Sequence, residues 1–399
     1  MEYVDKFDAM ESLLKGDPQA VRERTAQAFD RISETARPQI VLFGAGGLGQ
    51  RVARGLRKGG VEPVAFLDSN GKSQGQTVVG VPVCSPAEAA RRFSPEAVFV
   101  VSIWRALATE TMHQRIRFLT GLGCTKVCSV FPLLWKFPVI FLPYYCADEP
   151  HKVIVAAAEV RAALALFADE PSRAIFIDQI LWRLDPERYD LDSISHEAEY
   201  FPKDLFSVHD REIYVDCGGY DGDTARQFLE VARGHFGAIH IVEPDPSNYS
   251  RINAWRSRLP SATGDRIHVH NVAASNDTGT VGFSANSALD SRITQSGELQ
   301  VPCDSLDRLL TGVCPTIIKM DIEGAERLAL QGAEQLIHRC RPILAICLYH
   351  VQSDLWTIPL MIQRFAKSYR FFLRSHSLDG WDLVLYAVPI ERANVMQPV

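Results

Sequence analysis

No apolar run in the sequence is long enough to cross a bilayer. The longest runs, such as PVIFLPYYC at 138–146, are short and contain prolines, and the N-terminal MEYVDKFDAM is acidic rather than signal-like. An excess of positive charge is also missing, since the formal net charge is -6. The sequence therefore offers no electrostatic reason to bind nucleic acid or an anionic membrane, and we expect a cytoplasmic protein without a membrane span.

Cysteine pairs at the spacing of metal or redox sites are scarce. The nine cysteines form no CxxC pair, and Cys217 and Cys347 lie in apolar runs that are typical of buried reduced thiols. Cys124 and Cys128 stand at CxxxC spacing, but no second ligand pair follows at the spacing of a zinc site. We therefore predict reduced thiols and assign no metal ligands.

The chain does contain enough residues for two hydrophobic cores. Its 399 residues are 47% hydrophobic and 23% charged, as in soluble globular proteins. The pattern predicts four segments. They are a helical lead-in at 1–36, a Rossmann-like nucleotide-binding domain at 37–135, a helical connector at 136–205 and a larger α/β domain at 206–399.

Both domains alternate strands with helices, which predicts an α/β protein with two doubly wound sheets. In the small N-terminal sheet the strands are IVLFGAGG, VEPVAFLDSN and PEAVFVVSIW. In the second domain EIYVD, AIHIVE, RIHVHN, TIIKMD and PILAICLYH predict five parallel strands, with helices opening near Thr224, Ser247, Ala325 and Asp354. No helix separates YRFFLRSH from WDLVLYAV, so these form an antiparallel hairpin. Seven strands ending in such a hairpin are the layout of the common S-adenosylmethionine methyltransferase sheet.

A glycine-rich loop with three acids follows the first strand of the second domain. A helix N-terminus attracts anions, but Asp216, Asp221 and Asp223 would repel a phosphate there. The loop therefore favours a cationic or hydroxyl-rich ligand, and S-adenosylmethionine offers a sulfonium, an amino group and ribose hydroxyls. Three glycines would let the backbone approach that ligand closely: Gly218, Gly219 and Gly222. Thr224 and Gln227 also form a predicted capping box, which fixes where the helix starts. The alternative is an acidic turn that only caps the helix.

The next two strand ends extend this prediction. AIHIVE ends on Glu243, where an acid can accept both ribose hydroxyls, and strand three runs into residues 271–274, along the predicted adenine edge. His268 and His270 alternate on that strand and are interpreted as hydrogen-bonded sheet histidines rather than a metal pair. The predicted cofactor-binding residues are Asp216, Gly218, Gly219, Tyr220, Asp223, Glu243, Pro244, Asp245, Asn271, Val272 and Ala273.

Six segments, in matching order, resemble the FkbM-type methyltransferases: VDCGGYDGDT, IVEPDP, NVAAS, IIKMDIEGAE, LQGAEQLI and RPILAICLYH. The resemblance covers the C-terminal half of the chain and implies S-adenosylmethionine-dependent methyl transfer, usually to oxygen, often on sugars, glycans or polyketide-like products. It matches Asp216, Gly218 and Glu243 to the cofactor-binding positions and 321–326 to the signature after strand four. Gly219 departs from the family, which often has alanine there.

Methyl transfer to a hydroxyl requires alignment and removal of a proton. Lys319, Asp321 and Glu323 end strand four and His350 ends strand five, so these four are the catalytic candidates. Histidine titrates near neutrality, which predicts His350 as the base and Asp321 as its orienter or a second base. Alternatively, Glu323 and Glu326 cap the next helix and His350 is a hydrogen-bonded strand end. A further alternative is a divalent cation on Asp321 with Glu323 or His350, which would acidify the hydroxyl.

Two outlying pairs are further candidates. Arg374 and His376 end the sixth strand and could recognise an anionic or sugar substrate, or be inert. Tyr200 and Phe201 precede the domain and could cover the cofactor or pack as a linker.

The first domain carries a second glycine loop. Gly44, Gly46 and Gly49 form GxGxxG after a strand, and Asp68 follows about 20 residues on, which is the dinucleotide fingerprint and predicts NAD. FGAGGLGQRVARGL, VEPVAFLDSN and VVGVPVCSPAEA also resemble the small N-terminal domain of sugar O- and N-acyltransferases that binds nucleotide-sugars. That resemblance implies loop amides on a diphosphate. Nucleotide-sugar binding, NAD binding and a purely structural domain stay open.

The sequence thus predicts an S-adenosylmethionine-dependent O-methyltransferase with a small-molecule or saccharide acceptor, in polysaccharide modification. One alternative is an NAD-linked sugar-modifying oxidoreductase that uses the N-terminal loop. The other is a non-catalytic nucleotide-sugar-binding protein.

Overall fold

The computed structural model of the protein describes residues 3–35, 37–195, 197–284, 292–293 and 299–394. The chain divides into two compact units. The first unit comprises Met1–Arg161, Ala174–Ile194 and Ser377–Asp382, and the second comprises Ala162–Arg173, Ser195–His376 and Leu383–Val399. The segment predicted as a connector therefore contributes residues to both units.

Helices dominate the first unit outside its sheet. Three lie where the helical lead-in is predicted, and α2 begins after Asp17, whose carboxylate accepts the Ala20 amide. The helices from the N-terminus to 184 are α1 (Tyr3–Leu14), α2 (Pro18–Ala26), α3 (Ala28–Ser33), α4 (Gly47–Lys58), α5 (Pro86–Phe93), α6 (Met112–Gly121), α7 (Phe131–Lys136), α8 (Pro138–Phe141), α9 (His151–Val155), α10 (Ala157–Leu164) and α11 (Glu170–Leu184).

Six strands form the sheet of the first unit, in the order β3-β4-β2-β1-β5-β6. All neighbours pair in parallel except β3 and β4. Every residue of β1, β2 and β5 is buried, which explains why these strands are continuous apolar runs. The strands are β1 (Ile40–Phe43), β2 (Ala65–Leu67), β3 (Thr77–Val78), β4 (Val81–Cys84), β5 (Val98–Val101) and β6 (Val127–Ser129).

The second unit contains the predicted seven-stranded sheet, in the order β16-β17-β15-β14-β7-β8-β9. The five strands from β15 to β9 pair in parallel, while β17 pairs antiparallel with both β15 and β16. The predicted fold class is thereby confirmed. The strands of this unit are β7 (Ile213–Cys217), β8 (Ala238–Val242), β9 (Ile267–His270), β10 (Ala273–Ala274), β11 (Gly279–Ser284), β12 (Arg292–Ile293), β13 (Leu299–Asp304), β14 (Ile317–Met320), β15 (Ile343–Cys347), β16 (Tyr369–Ser375) and β17 (Leu383–Pro389).

A four-stranded sheet in the second unit, ordered β10-β13-β11-β12, is not foreseen from the sequence. Two of its strands contain only two residues, too few to show a period of two. Ala273, Val301 and Cys303 form its buried cluster.

Seven helices accompany the strands of the second unit from β7 onwards, and four begin within one residue of the predicted positions. The predicted capping box is wrong, because α12 begins at Asp223 after Gly222, and Gln227 donates instead to the carbonyl of Glu199. The helices are α12 (Asp223–Val231), α13 (Pro246–Arg256), α14 (Ser261–Gly264), α15 (Leu306–Leu309), α16 (Glu326–Gln331), α17 (Glu334–Cys340) and α18 (Asp354–Phe365). None of the helices that the structure describes combines the length and apolar character needed to span a membrane.

The cysteines are reduced and buried with one exception. Cys314 and Cys340 form a disulfide with their Cα atoms 5.4 Å apart, so the prediction of reduced thiols is wrong for this pair. The two cysteines are 26 residues apart in the sequence, and the fold brings them together because Cys314 precedes β14 and Cys340 ends α17. Cys217, Cys347 and the other five cysteines are free and buried.

Candidate functional site

Asp216 and Lys319 form a buried ion pair between neighbouring strands. They are register partners on β7 and β14, and Lys319 Nζ lies 3.1 Å from Asp216 Oδ1. Burial raises the pKa of Asp216 to about 6, although Lys319 opposes the shift. Lys319 Nζ also donates to the carbonyl of Gly218 at 2.7 Å, so this lysine holds the glycine loop in place.

Two glycines of this loop pack with no room for a side chain. Gly218 has a φ of +83°, and a Cβ there would lie 1.8 Å from the Asp321 carbonyl oxygen. At Gly219 a Cβ would lie 2.2 Å from Ile241 Cγ2, which explains why this chain departs from the alanine that is frequent in the resembled family. The loop backbone therefore contacts the ends of β8 and β14 directly.

Glu243, directly after β8, holds the same loop from the other side. Its Oε2 accepts the Tyr220 amide and its Oε1 accepts the Asp245 amide, each at 2.8 Å. Burial raises the pKa of Glu243 to about 7 against the effect of these two bonds. Asn271 Nδ2 donates to the carbonyls of Glu243 and Pro244, so three of the predicted strand-end segments meet here.

Other predicted cofactor residues serve the fold as well. The carboxylate of Asp245 caps α13, and Asp223 Oδ1 accepts the Thr224 amide. Val272 links β9 to β10, and the Ala273 side chain is buried in the cluster of the four-stranded sheet. Only the backbone of Ala273 is therefore left to contact a ligand.

The donor set of this region fits S-adenosylmethionine. The carboxylates of Asp216, Asp223 and Glu243 surround the loop. Lys319, which lies among them, is paired with Asp216. Each oxygen of Glu243 accepts one backbone amide and keeps a further lone pair for a ribose hydroxyl. A cationic ligand with hydroxyl groups matches this charge and these acceptors better than a phosphate does.

Asp321, which follows β14, lies in a polar network. Its Oδ2 accepts the Tyr200 hydroxyl and its Oδ1 accepts the Tyr349 hydroxyl, both at 3.1 Å. Burial disfavours its charge, yet Lys319 and His350 lower the pKa of Asp321. This carboxylate is therefore ionised at neutral pH.

Three carboxylates surround His350, at the loop that follows β15. Its Nδ1 lies 2.8 Å from Glu326 Oε1, and its Nε2 lies 3.3 Å from Asp321 Oδ1 and 3.8 Å from Glu323 Oε2. Burial alone would lower the pKa of His350, but Glu326, Glu323 and Asp321 raise it to about 9. At neutral pH the imidazole thus carries a proton, which counts against the predicted role of general base.

Tyr200 belongs to this site, whereas Arg374 is paired with two acids. Tyr200 has a φ of +65°, and its amide donates to the Tyr386 hydroxyl, which also lies 2.9 Å from His376 Nε2. Burial, together with Arg374, lowers the pKa of His376 to about 4, so this imidazole is neutral. Arg374 Nη2 lies 2.8 Å from both Asp169 and Asp204, so its predicted role in substrate recognition is not supported by the structure.

Three groups at the site are not foreseen from the sequence. Tyr349, which directly precedes His350, and Glu326, expected only as a helix cap, are two of them. Asp354, at the start of α18, is fully buried with Arg327 Nε at 3.0 Å from its Oδ1. Nothing in the sequence signals that α16 and α18 place these acids beside the end of β15.

The sheet histidines interact with one another. His240 Nδ1 lies 3.2 Å from His270 Nε2, and its ring centroid lies 4.8 Å from that of His268. Burial, with the neighbouring histidines, lowers the pKa of His240 to about 4, so this imidazole is neutral at pH 7. Among the described residues, the group whose ligand atoms all lie within 4.8 Å of one another is instead Asp321, Glu326 and His350.

The glycine loop of the first unit is held by contacts between its own backbone atoms and with Asp68. Gly44 has a φ of +110°, and a Cβ at Gly49 would lie 1.9 Å from the Gly44 carbonyl oxygen. Asp68 Oδ2 accepts the Ala45 amide at 3.0 Å, so the acid predicted to bind a ribose already holds the loop. Gly46 precedes α4, and among the described residues no side chain caps that helix start.

These features define an α/β unit of the methyltransferase type. Residues 216–375 match the family model described as "Methyltransferase FkbM domain", which supports a methyltransferase. The crystal structure of Methyltransferase FkbM from Methylobacillus flagellatus KT is 23% identical, covers 93% of this chain and 100% of that chain, and superposes with a TM-score of 0.72. The two proteins therefore share their fold.

Two further solved structures are similar only in part. UDP-D-quinovosamine 4-dehydrogenase from Vibrio fischeri is 23% identical over 24% of this chain and 76% of that chain, with a TM-score of 0.20. The SAH-bound methyltransferase from Podospora anserina is 13% identical over 45% of this chain and 71% of that chain, with a TM-score of 0.25. These TM-scores carry no argument about function. No curated protein matches the chain.

Proposed function

We propose that the protein is an S-adenosylmethionine-dependent methyltransferase that acts on a hydroxyl of a saccharide or nucleotide-sugar. The observation that carries the proposal is the arrangement of Glu243, whose two carboxylate oxygens are held by backbone amides of the glycine loop and of the turn before α13. Each carboxylate oxygen thereby keeps one lone pair that accepts no backbone amide. Two such acceptors on one carboxylate match the two hydroxyls of a ribose.

The residues that would hold the cofactor come from three adjacent strand ends. Glu243 would accept the ribose hydroxyls, the backbone at Gly218 would allow close approach, and Asn271 would border the adenine. Asp216 is balanced by Lys319, so Glu243 and Asp223 are the carboxylates whose charge would favour a cationic ligand. When bound, S-adenosylmethionine supplies a methyl group that is already activated by its sulfonium.

The protein's own task is to place and deprotonate the acceptor hydroxyl. The side chains of Asp321 and Glu323 are 26% and 28% exposed, whereas that of His350 is 1% exposed. The two carboxylates are therefore the groups that reach an acceptor, and we assign them contact with the hydroxyl. His350 and Lys319 act through these carboxylates, as charged neighbours that fix their position.

A saccharide acceptor agrees with the polar character of the site. Tyr200, Tyr349 and the two carboxylates provide hydroxyl and carboxylate groups within one network. Such groups form hydrogen bonds to several sugar hydroxyls at once. The resemblance to FkbM-type enzymes, which often modify sugars and glycans, favours the same acceptor class.

Calorimetric titration with S-adenosylmethionine and S-adenosylhomocysteine tests the cofactor site, with NAD as a parallel ligand. Mass spectrometry of saccharides and nucleotide-sugars incubated with the protein and the methyl donor then tests the reaction. We expect micromolar binding and a gain of one methyl group on an oxygen. Binding of NAD alone would overturn the proposal in favour of the oxidoreductase, and binding without turnover across the acceptor panel would favour a non-catalytic protein.

For the first unit we propose binding of the phosphates of a nucleotide-sugar at the start of α4. No acid occupies the first turn of this helix, and a Cβ at Gly46 or Gly47 would contact nothing within 4 Å among the described residues. Exposed amides at a helix start favour a diphosphate. Titration with UDP-glucose, repeated on Gly46→Glu, tests this; equal affinity of both proteins would contradict it.

A further inference from the structure

The cluster formed by Asp321, Glu323, Glu326 and His350, here called the carboxylate–histidine cluster, carries excess negative charge. Three carboxylate groups lie 2.8, 3.3 and 3.8 Å from ring nitrogens of a single imidazole. The nearby Lys319 is paired with Asp216 and does not balance these carboxylates. A divalent cation would balance two of the three carboxylates and leave the imidazole neutral, as a metal ligand must be.

The imidazole is oriented as in a metal site. His350 Nδ1 bonds to Glu326 Oε1, so its other nitrogen, Nε2, faces Asp321 and Glu323. A histidine ligand in metalloproteins typically donates its second N–H to a carboxylate, which fixes the ring and strengthens the ligand. Glu326 is placed to be that carboxylate.

Glu326 also gives an independent indication of a missing positive charge. Its side chain is 0% exposed, and its Oε2 has no hydrogen-bond partner among the described residues. A buried, unpartnered carboxylate oxygen costs free energy unless a cation lies nearby. A carboxylate oxygen of Glu326 lies within 4.8 Å of the ligand atoms of Asp321 and His350.

The backbone at Glu323 is strained in a way that brings its carboxylate to His350. Glu323 has a φ of +55° and Gly324 a φ of +97°. The left-handed conformation is unfavourable for glutamate and is retained where surrounding contacts require it, often at functional sites. Glu323 and Asp321 are partly exposed while His350 and Glu326 are buried, so the cluster is open on one side only.

We infer that a divalent cation binds to Asp321, Glu323 and His350 Nε2, with Glu326 as the carboxylate that orients the imidazole. Two oxygen ligands and one nitrogen, with open positions for water, suit Mg²⁺ or Mn²⁺. The role of the ion rests on the proposed function. When bound, the ion would lower the pKa of the acceptor hydroxyl, whose proton would pass to water. The hydroxyl oxygen would then form the bond to the methyl carbon as the carbon–sulfur bond breaks with its electron pair on sulfur.

Binding of Mn²⁺ to the full-length protein, measured by electron paramagnetic resonance and calorimetry without methyl donor or acceptor, tests the inference. We expect one Mn²⁺ per chain. Asp321→Asn and Glu323→Gln should weaken binding at least tenfold, and Glu326→Gln about 10- to 100-fold. Glu334→Gln, a change at an exposed acid on α17, is the matched control and should bind as the wild type does.

Circular dichroism shows whether each variant folds, and Glu323→Gln, at a partly exposed position, is the variant best suited to remain folded. Unchanged Mn²⁺ affinity in a folded Glu323→Gln and a folded Asp321→Asn would overturn the inference, as would the absence of Mn²⁺ binding to the wild type. Methyl transfer that continues at full rate in excess EDTA, with no Mn²⁺ bound, would refute the cation and leave the proposed function intact. Mn²⁺ binding that is lost in the variants, without methyl transfer to any acceptor, would support the cation site and contradict the function.

Discussion

Replacing Glu243 by glutamine tests the cofactor site directly. The carboxylate already accepts the amides of Tyr220 and Asp245 at 2.8 Å each, and the ribose hydroxyls would add two further bonds. A hydrogen bond to a charged acceptor contributes about 1.5–3 kcal/mol. Glutamine retains one acceptor oxygen and loses the charge, so we expect the loss of one such bond and an increase of about ten- to hundred-fold in the Kd for S-adenosylmethionine.

The pH dependence of binding provides a second readout of the same residue. The pKa of Glu243 is raised to about 7, mainly by burial, so the carboxylate is protonated below that pH. The ionised form is the one that accepts two ribose hydroxyls, so a proton must leave before binding. The affinity of the wild type should therefore fall by about tenfold per pH unit below 7 and level off above it, while Glu243→Gln shows no such dependence between pH 6.5 and 8.5, above the range in which Asp216 titrates.

Isothermal titration calorimetry measures both effects. Glu230→Gln, a change at an exposed acid on α12, is the matched control and should leave affinity and pH profile unaltered. An affinity of Glu243→Gln within about threefold of the wild type, or a wild-type profile that stays flat through pH 7, would refute the assignment of Glu243 to the ribose.

Three further changes test the packing around the site. Lys319→Met leaves the buried Asp216 unpaired and should lower the free energy of unfolding by about 3–5 kcal/mol, measured by urea denaturation; a loss under about 1 kcal/mol would contradict the pairing. Gly219→Ala forces a Cβ against an isoleucine of β8 and should cost about 1–3 kcal/mol and weaken S-adenosylmethionine binding, whereas unchanged stability would show that the loop has room. Cys314→Ser opens the link to Cys340 and should lower the stability of the oxidised protein by about 3 kcal/mol; reductant should then destabilise the wild type but not the variant.

The location of the candidate site, at the carboxyl ends of the strands of the second sheet, could be predicted from the sequence because these strands are buried on both faces. β15 is a continuous apolar run, and β7 and β14 are apolar apart from Asp216 and Lys319 near their ends. Parallel strands bring their carboxyl ends to one edge. Asp216, Lys319, Asp321 and His350 all follow or end such runs, so the prediction that they gather there needs no knowledge of side-chain contacts. The same reasoning locates the loop at Gly44 in the first unit.

The side-chain partners at that edge could not be predicted, because they depend on helix starts and on distant chain segments. The bond between His350 and Glu326 requires α16 to begin at Glu326, and Tyr200 reaches Asp321 from a segment more than a hundred residues upstream. Arg374 ends a strand at the expected edge, yet it is paired with Asp169 and Asp204. These two acids share no sequence pattern that would predict the pairing. Tertiary pairing, rather than local pattern, decides which of these charges can meet a ligand.

The two glycine loops differ in charge although both follow a first strand. The helix after Gly46 has no acid in its first turn, so its exposed amides favour an anion. The helix after Gly222 has Asp223 in its first turn, with Asp216 and Glu243 on the neighbouring strands, and two unit charges 4 Å apart interact with about 4 kcal/mol near a protein surface. Repulsion of that size would disfavour a phosphate at the second loop and favour a sulfonium, whereas the acid beside the first loop, Asp68, already accepts the Ala45 amide. We therefore expect charge at the strand ends, rather than the glycine spacing that the loops share, to distinguish the ligands of the two loops.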